Sequence, residues 1–362
     1  MKYNSHYPIA HIPLNATGFL RLIRMPSLVS AMLLSLLIPL FVSAQDGSSA
    51  YNYLNVTSSA RIYGLGGVNI TAVEDELGVA DQNPALLGWE MDNQVMLDYM
   101  HYLGESNFAG AKYARAIGER GAWAAGLRYF GYGKMKATDE TGVVTGTFSP
   151  CDVNFNGTFS YDITDRLRGG INLKFLYSSY EAYSALAIAA DLGINYFDPD
   201  NDVSLSAVLA NVGGQVKRFH ESYNRLPIDL RLGIAKVFQG LPIRFSITAW
   251  NLFKWKLPYY ETGDGSSSEQ FKEKENFTSN LFRHLIFGVD FIPSERFFVA
   301  LGYNYKTRTD MSTYSRSFLS GFSLAAGLNL RRFNVAIAFA QPHSGATTLM
   351  LNLNLNINDI IY

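Results

Sequence analysis

Charge is what this sequence has least of. Lys, Arg, Asp and Glu make up 17% of its 362 residues, against about 25% in ordinary soluble domains. The formal net charge is −1, so there is no basic surface to hold a nucleic acid. Cysteine is nearly absent. Cys151 stands alone, which excludes an internal disulfide and a multi-cysteine metal site. Beyond Ala44 no apolar run reaches about 18 residues, so membrane helices are not expected there. There is no His-Glu-x-x-His motif. His101, His220, His284 and His343 are scattered along the chain and read as loop or interface residues, not ligands. Gly131-Tyr132-Gly133-Lys134 lacks the spacing of a phosphate loop, because Arg128 stands where the first glycine belongs. Gly64-Leu65-Gly66-Gly67 follows no buried strand and opens no helix, as a dinucleotide site would require. Neither catalysis nor a cofactor is expected.

Aromatic residues are abundant, with 22 Tyr and 24 Phe. Low charge with many rings suits an outer wall that meets lipid; a large soluble β-sandwich is the bland alternative. The N-terminus reads as a targeting segment. Arg21 and Arg24 precede an apolar core from Leu28 to Val42, and Val42-Ser43-Ala44 is a small-residue cleavage site. Residues 1–44 are therefore expected to be a signal peptide, with Met25 as an alternative start.

From residue 94 on, side chains alternate with period two. Val153, Phe155, Phe159, Tyr161 and Ile163 alternate with Asn154, Asn156, Thr158, Ser160 and Asp162. Leu349, Leu351, Leu353 and Leu355 alternate with Met350, Asn352, Asn354 and Asn356. Successive strand residues point to opposite faces, so each such segment has one apolar and one polar or small face. Fourteen segments qualify: 94–103, 107–117, 120–132, 151–163, 166–178, 183–197, 201–210, 225–238, 241–252, 283–292, 296–306, 317–329, 332–341 and 346–358. The second is the weakest, because Lys112 and Arg115 fall on opposite faces. The longer connections, 133–150, 211–224, 253–282 and 307–316, all fall on the odd-numbered side. Membrane barrels sort their loops this way, short turns on the periplasmic side and long loops outside. Closure follows from hydrogen bonding, since an open sheet edge has no partner in lipid. The expected fold is all-β: a 14-stranded antiparallel transmembrane β-barrel over 94–362, in the outer membrane, with both termini periplasmic. Tyr129, Phe130, Tyr196, Phe197, Trp250, Phe253, Tyr303 and Tyr305, near strand ends, are expected to form interfacial girdles.

Residues 45–93 do not alternate. They contain Ser59-Ala60-Arg61-Ile62-Tyr63-Gly64-Leu65-Gly66-Gly67, then Glu74-Asp75-Glu76, then Asp81-Gln82-Asn83-Pro84-Ala85-Leu86-Leu87. Side chains alone cannot fill a ring of fourteen strands, so this segment is expected to sit inside as a plug, or hatch. Gly64, Gly66 and Gly67 give it turns, and Asn83-Pro84 initiates another. The wording resembles the hatch of the FadL-type fourteen-stranded barrels. Within that superfamily the stretch from about residue 58 onward is most similar to the PorQ-like barrels of the type IX secretion system of Bacteroidetes. That resemblance implies a non-enzymatic scaffold in the surface attachment complex, beside PorZ, PorU and PorV-like proteins and close to lipopolysaccharide. The alternative is a FadL-type channel for hydrophobic small molecules. Trp255, Tyr259 and Tyr260, at the base of the longest loop, are the expected partner-docking residues.

Overall fold

The structure is a computed structural model. It describes residues 51–219, 223–238, 240–257, 259–261, 272–274, 276–310, 318–330, 332–343 and 346–361. The expected signal peptide lies outside the described residues.

Fourteen antiparallel strands close into one ring. In chain order they are β1 (Gln94–His101), β2 (Asn107–Ile117), β3 (Gly121–Gly131), β4 (Cys151–Thr164), β5 (Leu167–Tyr180), β6 (Tyr183–Asp198) and β7 (Val203–Lys217). There follow β8 (Asp229–Val237), β9 (Ile243–Ala249), β10 (Leu285–Ser294), β11 (Phe297–Asn304), β12 (Phe322–Asn329), β13 (Phe333–His343) and β14 (Ala346–Asn356). Ring neighbours are sequence neighbours, and β1 closes on β14 with Gln94 opposite Asn356 and His101 opposite Leu349. Each of the fourteen alternating segments corresponds to one of these strands, with shifted ends.

Alternation is the physical cause of the ring's two faces. On β4, Phe155 is 51% exposed and faces outward, while Asn156 is 7% exposed and faces inward. Leu192, Phe339 and Leu351 also face outward. Apolar outside and polar inside is the inverse of a soluble sandwich, and removes that alternative. Lys112 faces in and is buried, whereas Arg115 lies outward near the end of β2. A cation there reaches water along its own stem. The girdle expectation fails at Phe130. Its neighbour Tyr129 points out, so Phe130 points in, and it is 1% exposed.

The two ends of the ring differ. One carries only short turns, such as 118–120, 165–166 and 295–296. The other carries 132–150, 218–228, 250–284 and 305–321. The expected loop 211–224 is shorter than the alternation suggests, because β7 runs on to Lys217. Asn211 adopts φ +57°, and Ala210 and Asn211 together face Asp191, one residue of β6. This bulge breaks the period, which is why the sequence pattern stops there. At the C-terminus the strand ends at Asn356, and Ile357–Ile361 forms a helical turn. Asn358, within the last expected segment, therefore lies beyond the strand.

Residues 51–93 form a short helix, Ala60–Gly64, and 3-10 turns. Their apolar side chains pack against inward residues of the wall. Tyr53 and Leu65 share a core with Met100, Phe108, Phe130 and Phe298. Ile62, Leu77 and Leu87 share another with Met96, Ala114 and Ala124.

Candidate functional site

Charged residues are few, yet they concentrate where the 51–93 segment meets the wall. Arg61 lies 2.6 Å from Glu74 and 3.1 Å from Asp290 of β10. Arg244 of β9 lies 2.6 Å from Glu74 and 2.7 Å from the same Asp290. Two cations and two anions thus form a neutral ring, half from the segment and half from the wall, of which only Glu74 is partly exposed. Arg128 of β3 pairs with Asp98 of β1 and donates to the carbonyl of Thr57 at 2.6 Å. Lys112 pairs with Asp81. Asn352 of β14 donates to the Ser58 carbonyl at 2.7 Å and accepts from the Ala60 amide. Removing one partner of such a pair strands a charge in a low-dielectric interior.

Small residues set the remaining contacts. A Cβ on Gly64 would lie 2.3 Å from that of Ala325, and one on Gly66 would lie 2.4 Å from Ile286. Gly66 and Gly67 have φ of +101° and +89°, a region that favours glycine. Asn83 is fully buried. Its Oδ1 accepts from the Ala85 amide at 3.0 Å and its Nδ2 donates to the Ile70 carbonyl at 2.9 Å. Pro84 opens the 3-10 turn Pro84–Leu86 and lies against Gly170 and Gly193, where a Cβ would collide with it.

At the end that carries the long loops, a cavity of about 650 Å³ opens above Tyr53. Tyr102, Phe108, Tyr132, Phe148 and Tyr180 contribute rings to its lining, and among the described residues no charged one does. The walls hold each other at aromatic distances: Tyr102 stacks on Phe108 at 5.1 Å, and Tyr132 meets Tyr180 edge-on at 6.2 Å. Asp152 stands behind them on β4. It accepts hydrogen bonds from the hydroxyls of Tyr132 and Tyr180. A smaller cavity of about 220 Å³ flanks residues 52–68 beside Trp250 and Asn304. Lower down, around Lys112 and Lys174, the gap is only about 30 Å³, room for one water.

The expected docking residues do not share this pocket's lining. Trp255 is 45% exposed and stacks on His284 at 4.9 Å. Tyr259 and Tyr260 begin a small hairpin, Tyr259–Glu261 with Lys272–Lys274, but their side chains lie outside the described residues. Sequence reasoning missed Phe108, Tyr132, Asp152 and Tyr180. The available signal was their placement at the loop ends of β2 to β5, with Phe108 and Asp152 on the inward phase.

No protein-family model and no curated protein matches the chain. Solved structures do match. The toluene transporter TodX of Pseudomonas putida is 13% identical, and the match covers 83% of this chain and 96% of that one with a TM-score of 0.51. The toluene transporter TbuX of Ralstonia pickettii is 14% identical, covering 83% and 97%, with a TM-score of 0.50. The chain has the fold of these barrels. Identity this low carries the path of the backbone and not the ligand. The likeness agrees with the barrel implied by the sequence resemblance, and does not reach the finer assignment to the type IX barrels.

Proposed function

We propose that the chain is an outer-membrane barrel that admits hydrophobic small molecules through the aromatic pocket at its loop end. In this reading the long loops face the outside, both termini are periplasmic, and residues 51–93 act as a plug that floors the pocket. The observation that carries it is the uncharged, ring-lined cavity of about 650 Å³. Such a volume suits a small organic molecule, and an apolar lining with a few polar edges is typical of ligand sites. The fold likeness to two toluene transporters supports the same reading. The test is toluene binding to the full chain in detergent micelles, followed by tyrosine fluorescence. Phe108→Ala and Phe148→Ala are expected to weaken it together. Absence of saturable binding in the unaltered protein sinks the proposal.

A second reading, a PorQ-like scaffold of the type IX attachment complex, is favoured by a different observation. The segment is tied to the wall by buried ion pairs, and the gap beneath the pocket holds about one water. An interior occupied by a segment tied in this way suits an anchor better than a conduit. Trp255 and Phe277, 45% and 69% exposed, offer rings for a protein partner such as PorZ. Pull-down from outer membranes in mild detergent separates the two. Recovery of PorZ-like or PorU-like sortase proteins supports the scaffold, and loss of that recovery in Trp255→Ala/Phe277→Ala places the contact. Recovery of small hydrophobic molecules with no protein supports the channel.

A further inference from the structure

We propose that the aromatic pocket prefers an organic cation with an apolar body, an aryl- or alkylammonium, over a neutral hydrocarbon of the same shape. The inference rests on the reading of this cavity as a ligand site and adds the charge of the ligand.

Asp152 carries it. The residue lies inward on β4, opposite Phe130 of β3 and Ser178 of β5, and is 0% exposed. The other deeply buried inward aspartates of the wall all have a cation at hand. Asp98 has Arg128 at 3.1 Å, Asp191 has Lys174 at 2.7 Å, Asp229 has Arg231 at 2.8 Å, and Asp290 has Arg244 at 2.7 Å. Asp152 has none among the described residues. Its partners are the hydroxyls of Tyr132 and Tyr180, which donate to one oxygen, and Ser178 of β5, directly opposite, adds a third neutral hydroxyl beside the carboxyl group. Nearby Arg128 does not supply the missing charge, because Asp98 already holds it.

The geometry converts this imbalance into a preference. Tyr132 and Tyr180 line the cavity, and their hydroxyls are taken up by the carboxylate behind them. A tyrosine whose hydroxyl donates to an anion has a more electron-rich ring, and ring faces attract cations. Tyr132 and Tyr180 stand between the carboxyl group and the cavity. A negative charge behind these rings attracts a cation seated on their other side. Among the described residues no charged side chain lines the cavity. An ammonium group seated on these rings would give Asp152 the counter-charge that its wall neighbours already have. A hydrocarbon would fill the volume and give the Asp152 carboxyl group no counter-charge.

The probe pair is benzyltrimethylammonium and its neutral carbon isostere, neopentylbenzene, each titrated into the full chain in micelles by calorimetry. The cation is expected to bind roughly tenfold tighter, the size of effect a nearby charge gives in a partly buried site. Asp152→Asn is expected to abolish that advantage, read as the ratio of the two affinities. Heat-modifiable gel migration checks that the variant still forms a barrel. If it does not, Tyr132→Phe with Tyr180→Phe keeps both rings and cuts both bonds to Asp152, and a fall in the cation's advantage is expected. Equal or tighter binding of the neutral probe overturns the preference and leaves the pocket reading intact, and an undiminished preference in these variants overturns its assignment to Asp152. If neither probe binds, both the preference and the pocket reading fall.

Discussion

Arg61 and Asp290 meet across the boundary between the inner segment and the barrel wall, Nε to Oδ1 at 3.1 Å, with 3% and 1% of their side chains exposed. They are 229 residues apart in sequence. Asp290 also holds Arg244, so one carboxylate of β10 balances a cation from each side of the boundary. Asp290→Ala is expected to leave two buried guanidiniums with Glu74 alone. Loss of about 3–5 kcal/mol is the usual result of breaking one side of a buried pair. Urea unfolding in micelles measures it, and a loss under about 1 kcal/mol would show that the ring of charges is hydrated.

The inner segment's seat depends on glycines in the wall. A Cβ on Gly302 would stand 2.0 Å from the Gly66 amide nitrogen and 2.2 Å from the Leu65 carbonyl carbon. These are backbone atoms and cannot swing away. Gly302→Ala is therefore expected to displace residues 64–67 at a cost of about 1–3 kcal/mol, seen as faster proteolysis within 51–93 of an otherwise folded barrel. Gly157 faces outward with nothing within 4 Å of such a Cβ, and Gly157→Ala is the control expected to change neither.

Outward residues are expected to respond by depth. Leu192 lies mid-strand on β6 and Ile163 at the turn end of β4, and they are 48% and 54% exposed. In lipid vesicles Leu192→Arg is expected to cost about 2–4 kcal/mol and Ile163→Arg about 0–1 kcal/mol. Equal costs would mean that the ring does not sit across the bilayer as its apolar belt implies.

Glu76 links the seat to pH. Burial pushes its carboxyl above the ordinary glutamate range, while the hydrogen bond from Ser59 and the charge of Arg61 pull the other way; Glu74 and Asp290 add to the rise. A raised value means that the assembled protein binds the proton more tightly than the unfolded chain does. The stabilisation is complete below the ordinary glutamate value of about 4.3 and is lost as pH rises through the raised one. Protease protection of residues 51–93 is thus expected to fall with rising pH, and Glu76→Gln to flatten the fall. A slope unaltered by Glu76→Gln would assign the effect elsewhere.

Much of the fold was legible because a strand's period is short and local. Phe155, Phe159 and Tyr161 against Asn156, Thr158 and Ser160 announce two faces without reference to any other part of the chain. The positions of the long connections fixed which strand ends belong together. The reading failed where local chemistry was ambiguous. Phe130 carries a ring suited to lipid, and only its phase beside Tyr129 turns it inward. At Ala210 and Asn211 a bulge puts two consecutive side chains on one face, which no strict alternation can express.

The sequence by itself determined the strands, their inward and outward faces, the sorting of the loops and the segment that does not alternate. Each depends on neighbours a few residues apart. Only the closed tertiary structure decided what lies opposite what. It brought Arg61 to Asp290, Asn352 to Ala60, and Pro84 to Gly170. It also left Asp152 behind Tyr132 and Tyr180 without the cation its wall neighbours have. Period two assigns a side chain to the interior, but the partner it meets there depends on the ring's register and on the path of the inner segment, and these are set by packing across the whole barrel.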